Sequence, residues 1–304
     1  MLLCLSASEA VTAEPVPATD ARAALRHAAE TIRKRANIRF AYLATKTGIP
    51  AEDDPIAFQV SGDYLASDGR TISHHRPIWT DRTTREVTTN DRTRIFDGTR
   101  ADHLTRITTP DTDVLRGYTY AENQGEVYWT GVWLLNARVE PLAHDHPVLR
   151  ERSLVDLLAE LPDDALNFAA ATGPGEKAVL RVGGTFYWGS CRLWLDPARG
   201  YNVVRLDLSW RAQPDWGNPA APPPDEWRWS TRRISFARVG GQWIPDGTVL
   251  RSTYVTHEAG VEVRYESEIL IALRDITLLE APVPDPRFVM HWPEGTDRRD
   301  RRPE

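Results

Sequence analysis

The amino-acid sequence predicts a mainly β protein with few helices, folded as an antiparallel meander. Three observations carry that expectation. Apolar and polar residues alternate with period two across two long regions, from Arg39 to about residue 108 and from Ala178 to Ile276. Turn dipeptides punctuate the alternation, and Asp68-Gly69 is the strongest hairpin signal among them. The chain also carries 11 tryptophans, with Trp188, Trp194, Trp210, Trp227, Trp229 and Trp243 on predicted strands, enough bulk for a wide apolar sheet face.

Residues 1–17 begin "MLLCLSASEAVTAEP", a short apolar run followed by small residues, with Val11-Thr12-Ala13 as a cleavage site before Glu14. This stretch is expected to be the remainder of a secretory signal whose basic start lies upstream, which places the protein in the periplasm or cell envelope. Leu3 is a poor residue before an acylated cysteine, which argues against lipid anchoring at Cys4. With the leader removed, Cys191 is the one remaining cysteine and no internal disulfide can form. No run reaches the roughly 18 apolar residues of a membrane helix, so no transmembrane segment is expected.

One domain is expected over 18–284, followed by a solvated tail over 285–304. It opens with a helix capped by Thr19 or Asp20, in which Ala21, Ala24, Leu25, Ala28 and Ile32 recur on one face. Strands follow, with Phe58, Val60 and Tyr64 sharing a face and further turns at Asn90-Asp91 and Asp97-Gly98. A helical insertion is expected over about 136–175. Ser153 and Asp156 form a capping box ahead of Leu154, Leu157 and Leu158, Pro162 ends that helix, and a second short helix is expected over 164–171. In the second half, Val261, Val263, Tyr265, Ile269, Ile271 and Leu273 alternate with charged residues in one long strand. Gly183-Gly184 and Gly240-Gly241 read as turns. The proline-rich 212–226 segment, "AQPDWGNPAAPPPDE", excludes a strand ladder and reads as a long loop.

A formal net charge of −6 argues against nucleic acid as a partner. His74 beside His75, and His144 and His146 around Asp145, suggest a metal site at first sight. Neighbours on a strand point to opposite faces, however, so His74 and His75 cannot enter one site, and no metal or other cofactor is expected. The G-x-S-x-G, H-E-x-x-H, P-loop and dinucleotide-binding patterns do not occur. No catalytic residue is nominated, and an uncharacterised hydrolase is the third reading of function.

In the hairpin "GGQWIPDG", Gly240 and Gly241 should supply positive φ angles, Trp243 should return to cover the apolar face, and Pro245 should mark a bulge or an unpaired position. An N-terminal amphipathic helix, a long meander, inserted helices and this G-x-W-x-P hairpin resemble the LolA/LolB-like proteins of the bacterial envelope. Gly241, Trp243 and Pro245, then "IALRDITLLEAPVPDPRF" and "WPEGTDRRD", carry the likeness over roughly residues 18–284 and into the tail. In that superfamily an incomplete antiparallel β-barrel of about eleven strands wraps around plug and lid helices, an architecture that carries over more readily than an activity. The resemblance implies a lipid or lipoprotein acyl chain bound in the concave face. Inward candidates for that contact are Phe58, Val60, Tyr64, Val204, Leu206, Leu208, Val263, Tyr265, Ile269 and Ile271. The alternative is an envelope interaction or sensor module with a filled core, an envelope protein as partner and the 212–226 loop as contact surface.

Overall fold

A computed structural model describes residues 18–47, 56–81, 83–120, 153–173, 177–186, 189–211, 226–258 and 261–301. The leader with Cys4, His144, His146, Trp188, residues 136–152 and 174–175 of the expected insertion and the 212–226 loop up to Glu226 lie outside the described residues.

Helix α1 (Ala18–Arg33) leads into β1 (Ile38–Thr47), β2 (Ile56–Ser67), β3 (Arg70–Asp81), β4 (Val87–Phe96), β5 (Ala101–Thr108) and β6 (Asp113–Tyr120). Helix α2 (Leu154–Glu160) precedes β7 (Leu166–Thr172), β8 (Ala178–Phe186), β9 (Gly189–Asp196), β10 (Asn202–Arg211), β11 (Glu226–Val239), β12 (Gln242–Glu258), β13 (Val261–Leu278) and β14 (Asp297–Asp300). All fourteen strands belong to one open sheet in the order β14-β6-β5-β4-β3-β2-β1-β13-β12-β11-β10-β9-β8-β7. Every neighbouring pair is antiparallel except β14 and β6, which run parallel. The two predicted halves meet where β1 pairs with β13. The fold is thus mainly β, as the alternation predicts, with more strands than the resemblance implied.

Both helices lie on one face of the sheet, here the inner face. Ala21, Ala24, Leu25 and Ala28 of α1 are buried against Leu154, Leu157 and Leu158 of α2 and against Phe40, Val182, Leu193 and Leu206. Helix α1 already includes Ala18, one or two residues before the expected cap, so Asp20 stands in its first turn, where a carboxylate complements the helix dipole. Arg22 of α1 reaches across to the Ala159 and Leu161 carbonyls and pairs with Asp163 at 2.7 Å. The capping box of α2 forms as predicted: Ser153 Oγ accepts from the Asp156 backbone N–H at 3.0 Å and donates to its carboxylate at 2.7 Å. Ser153→Ala is expected to lower stability by about 1 kcal/mol, read as a shift in the urea midpoint, and an unchanged midpoint would show the cap to be idle.

Four sequence expectations are corrected. The 164–171 segment is a 3-10 turn at Asp163–Ala165 followed by β7, because pairing with β8 overrides the helix propensity of its alanines. Gly183 and Gly184 lie inside β8 rather than in a turn, and a Cβ on Gly184 would stand 2.3 Å from Leu161 Cδ1, so the glycine is what lets α2 approach the sheet. Asn90 and Asp91 lie within β4, while Asp68-Gly69 and Asp97-Gly98 do turn the chain. The segment beyond Pro282 is not simply solvated: Val283, Phe288 and Met290 are buried on the outer face against Ile95, Leu65 and Ile72, and Asp297–Asp300 pair with β6 as β14. Trp292 covers Gly117, whose Cβ would meet the indole at 2.4 Å.

The Gly240-Gly241 turn has φ angles of 54° and 77°, as required. Pro245 stands opposite Phe236 beside a register shift that leaves Asp246 extra, and the ladder of β12 with β13 starts only at Gly247, which matches the expected bulge. Trp243 does not cover the core. Ile244 takes the inward place, fully buried, and Trp243 faces outward beneath the guanidinium groups of Arg199 and Arg238, 5.5 and 5.8 Å from its ring.

Candidate functional site on the inner face

Among the described residues, α1 and α2 are the helices that cover the inner face. Helix α2 has 7 residues, about 10 Å, whereas β13 has 18 residues, about 60 Å. The inward side of β13 is therefore buried at Ile271 and Ile269 and emerges beyond them, reaching 51% exposure at Tyr265 and 65% at Val261. The register sets Trp227 opposite Tyr254 and Tyr254 opposite Tyr265. Their rings stack with centroids 5.0 and 6.0 Å apart, forming an aromatic row across β11, β12 and β13. On the other side of the sheet seam Phe58 and Trp79 face each other at 5.5 Å.

The ten inward candidates divide accordingly. Val60, Tyr64, Leu206, Leu208, Ile269 and Ile271 belong to the closed core beneath α1 and α2. Phe58 and Val263 are half-buried and Tyr265 is exposed, so these three lie where the inner face is accessible. Val204 is a correction. A bulge between Val203 and Arg205 reverses the facing of β10, and Val204 packs with Val179 and Trp194 on the outer side. Sequence alternation cannot reveal such a bulge because the extra residue looks like any other strand position.

A polar sector adjoins this apolar floor, and only its histidine drew notice in the sequence. Tyr42, Gly62, His75 and Arg92 stand in one inward row across β1 to β4. The Tyr42 hydroxyl hydrogen-bonds His75 Nδ1, and His75 Nε2 lies 3.0 Å from Ser73 Oγ. His74 faces the opposite way, exposed and 2.9 Å from Thr93 Oγ1, so the two histidines are separated as strand geometry requires. The strand parity shared by Ser73 and His75 was the available signal for this chain of hydrogen bonds.

Burial, then the charges of Arg94, Arg92, His74 and His103, push His75 down from 6.5 to about 3. In the unfolded chain the imidazole takes up a proton near 6.5, so its neutral burial is fully compatible with folding above that pH. Stability should fall as pH drops from about 6.5 toward 3, by up to about 1.4 kcal/mol per pH unit. Urea unfolding at pH 7.5 and pH 5 should show the loss, and His75→Gln should flatten it; an equal slope in both proteins would refute the assignment. Burial likewise pushes the Cys191 thiol up, which makes it a poor nucleophile.

An open cleft of about 590 Å³ lies across β13, β1, β2, β3 and β4, with Ala41, Leu43 and Ser61 between the charged side chains of Asp63, Arg76 and Arg274. It is crossed by an Arg76–Asp91 ion pair at 3.3 Å and contains none of the ten inward candidates. Among the described residues no group of three His, Cys, Asp or Glu side chains could hold a metal ion, and no helix is long and apolar enough to cross a membrane. No protein-family model matches the chain, and no curated protein matches it significantly.

Proposed function

We propose that this chain is an exported cell-envelope protein with a LolA-like half-barrel that binds a lipid or lipoprotein acyl chain along its inner face. The observation that carries the reading is the aromatic row, Trp227, Tyr254 and Tyr265, which continues the apolar core beyond the ends of α1 and α2. Burying acyl chain contributes about 0.8 kcal/mol per CH₂, so about six methylenes laid along the row would yield on the order of 5 kcal/mol before ordering costs. Stacked aromatic side chains suit such a ligand because they lose few rotamers on binding.

Native mass spectrometry of protein purified from the envelope tests this. A co-purified mass of lipid size that is lost on delipidation is the expected result; equal masses before and after would count against it.

A second reading, a sensor or interaction module without a ligand, is favoured by the packed core under α1 and α2. It predicts that deleting 212–226 removes a partner in a pull-down while acyl probes bind neither form.

A further inference from the structure

We infer that the open cleft across β13, β1, β2, β3 and β4 is a second binding site, one for a small zwitterion that carries an ammonium and an oxyanion on a short spacer. The cleft contains none of the ten inward candidates, so this site stands apart from the acyl-binding row. Two charges that the sheet brings near each other and leaves unpaired point to it.

The register sets Arg274 opposite Ala41 and Ala41 opposite Asp63, so an arginine of β13 and a carboxylate of β2 flank an alanine of β1. Both side chains are exposed, and neither makes a hydrogen bond or ion pair among the described residues. Neighbouring arginines on the same face behave differently: Arg76 pairs with Asp91 at 3.3 Å and Arg251 with Glu266 at 2.6 Å. His74 stands on the other side of Asp63, and its Nδ1 is engaged 2.9 Å from Thr93 Oγ1. Ala41 therefore leaves a gap with an open positive group on one side and an open negative group on the other.

The width of the gap limits what can bridge it. Side chains stand roughly upright on a strand, and two ladder steps span about 9.6 Å. Charge-assisted hydrogen bonds of about 2.8 Å at each end leave about 4 Å between the charges of the ligand itself. That lies in the range spanned by an α-amino acid and an ethanolamine phosphate.

The rest of the lining suits such a molecule. Asp63, Asp91 and Asp275 balance Arg76, Arg92 and Arg274 around the cleft, so a ligand of zero net charge enters without leaving an excess of either sign. Leu43, two residues along β1 from Ala41, offers an apolar surface, and Ser61 opposite it has a hydroxyl with no partner among the described residues. The volume of about 590 Å³ is that of small-molecule sites. At the edge of the cleft a bulge sets Asp275 and Ile276 together opposite Phe40, with Asp275 at a φ of 53°. Such bulges re-aim neighbouring side chains and are common beside active sites.

Calorimetric titration of the full chain tests the site with leucine, with isocaproate, which lacks the ammonium, with isoamylamine, which lacks the carboxylate, and with phosphoethanolamine. Because Asp63 and Arg274 are exposed, leucine should bind weakly and more weakly as salt rises. It should still bind about 10-fold more tightly than either single-charge analogue, the scale of one charge-assisted hydrogen bond. Asp63→Asn should bring leucine down to the level of isocaproate, and Arg274→Gln to that of isoamylamine. Ala41→Leu should fill the gap and abolish leucine binding. None of the three positions is buried, so circular dichroism should show all three variants folded.

Tighter binding of phosphoethanolamine than of leucine, with the same losses in the variants, would assign the site to a lipid headgroup instead of a free amino acid. Equal affinity for leucine and its two analogues, or an affinity untouched by Asp63→Asn and Arg274→Gln, would overturn the site. So would the absence of binding by both leucine and phosphoethanolamine at millimolar concentration. The triple alanine variant of Trp227, Tyr254 and Tyr265 should bind leucine as the wild type does, which separates failure of the acyl reading from failure of this one.

Discussion

Gly62→Ala is expected to destabilise the protein by about 3 kcal/mol or more, since an added methyl there makes the closest approach among the described glycines. A Cβ on Gly62 would stand 1.9 Å from the His74 carbonyl oxygen and 2.6 Å from the Tyr42 hydroxyl. The carbonyl is backbone within the β2–β3 ladder and cannot rotate away, unlike a flexible side chain. Moving it would also disturb Tyr42 and His75, whose hydrogen bond crosses above the glycine. Gly241 provides the contrast, since its Cβ would meet nothing within 4 Å and only its φ of 77° would be strained. Gly241→Ala should therefore cost about 1–2 kcal/mol. Urea midpoints separate the two, and similar losses for both variants would mean that β2 and β3 do not approach as described.

Replacing Trp227, Tyr254 and Tyr265 together by alanine should weaken acyl-chain binding by about 100-fold, on the scale of about 1 kcal/mol for each truncated contact. Fold stability should change much less than for a core substitution, because Tyr265 is half exposed and the row extends past the helices. Leu158→Ala is the matching core change. It removes a fully buried side chain between α2 and the sheet and should cost about 2–5 kcal/mol of stability. The two variants separate binding from folding. An aromatic triple variant that unfolds like Leu158→Ala, or that binds a fluorescent fatty acid as well as the wild type, would contradict the proposed site.

What the sequence made legible follows from which physical signals are local. The α1 face, the Ser153 capping box and the Asp68-Gly69 and Gly240-Gly241 turns depend on residues within a few positions of each other, and each forms as the spacing predicts. The long alternation of β13 also reads directly, although alternation reports facing and not cover. Its inward residues are buried or exposed according to where the helices stop.

Long-range features were hidden for the same reason. Gly183-Gly184 looks like a turn until α2 is seen lying on it, and β7 looks helical until β8 is seen pairing with it. Val204 changes face through a bulge, and Trp243 yields its inward place to Ile244. The polar sector was hidden for another reason. Ser73, His75, Arg92 and Arg94 are ordinary strand residues singly, and become a row only when β3 and β4 are set in register.

The acyl-binding account is tested most directly by photolabelling with a diazirine-bearing fatty acid, followed by mapping of the modified peptides. The account predicts labels concentrated on the β11, β12 and β13 peptides that contain Trp227, Tyr254 and Tyr265. Labels spread evenly over the chain, or gathered in the outer cleft around Ala41 and Asp63, would contradict it.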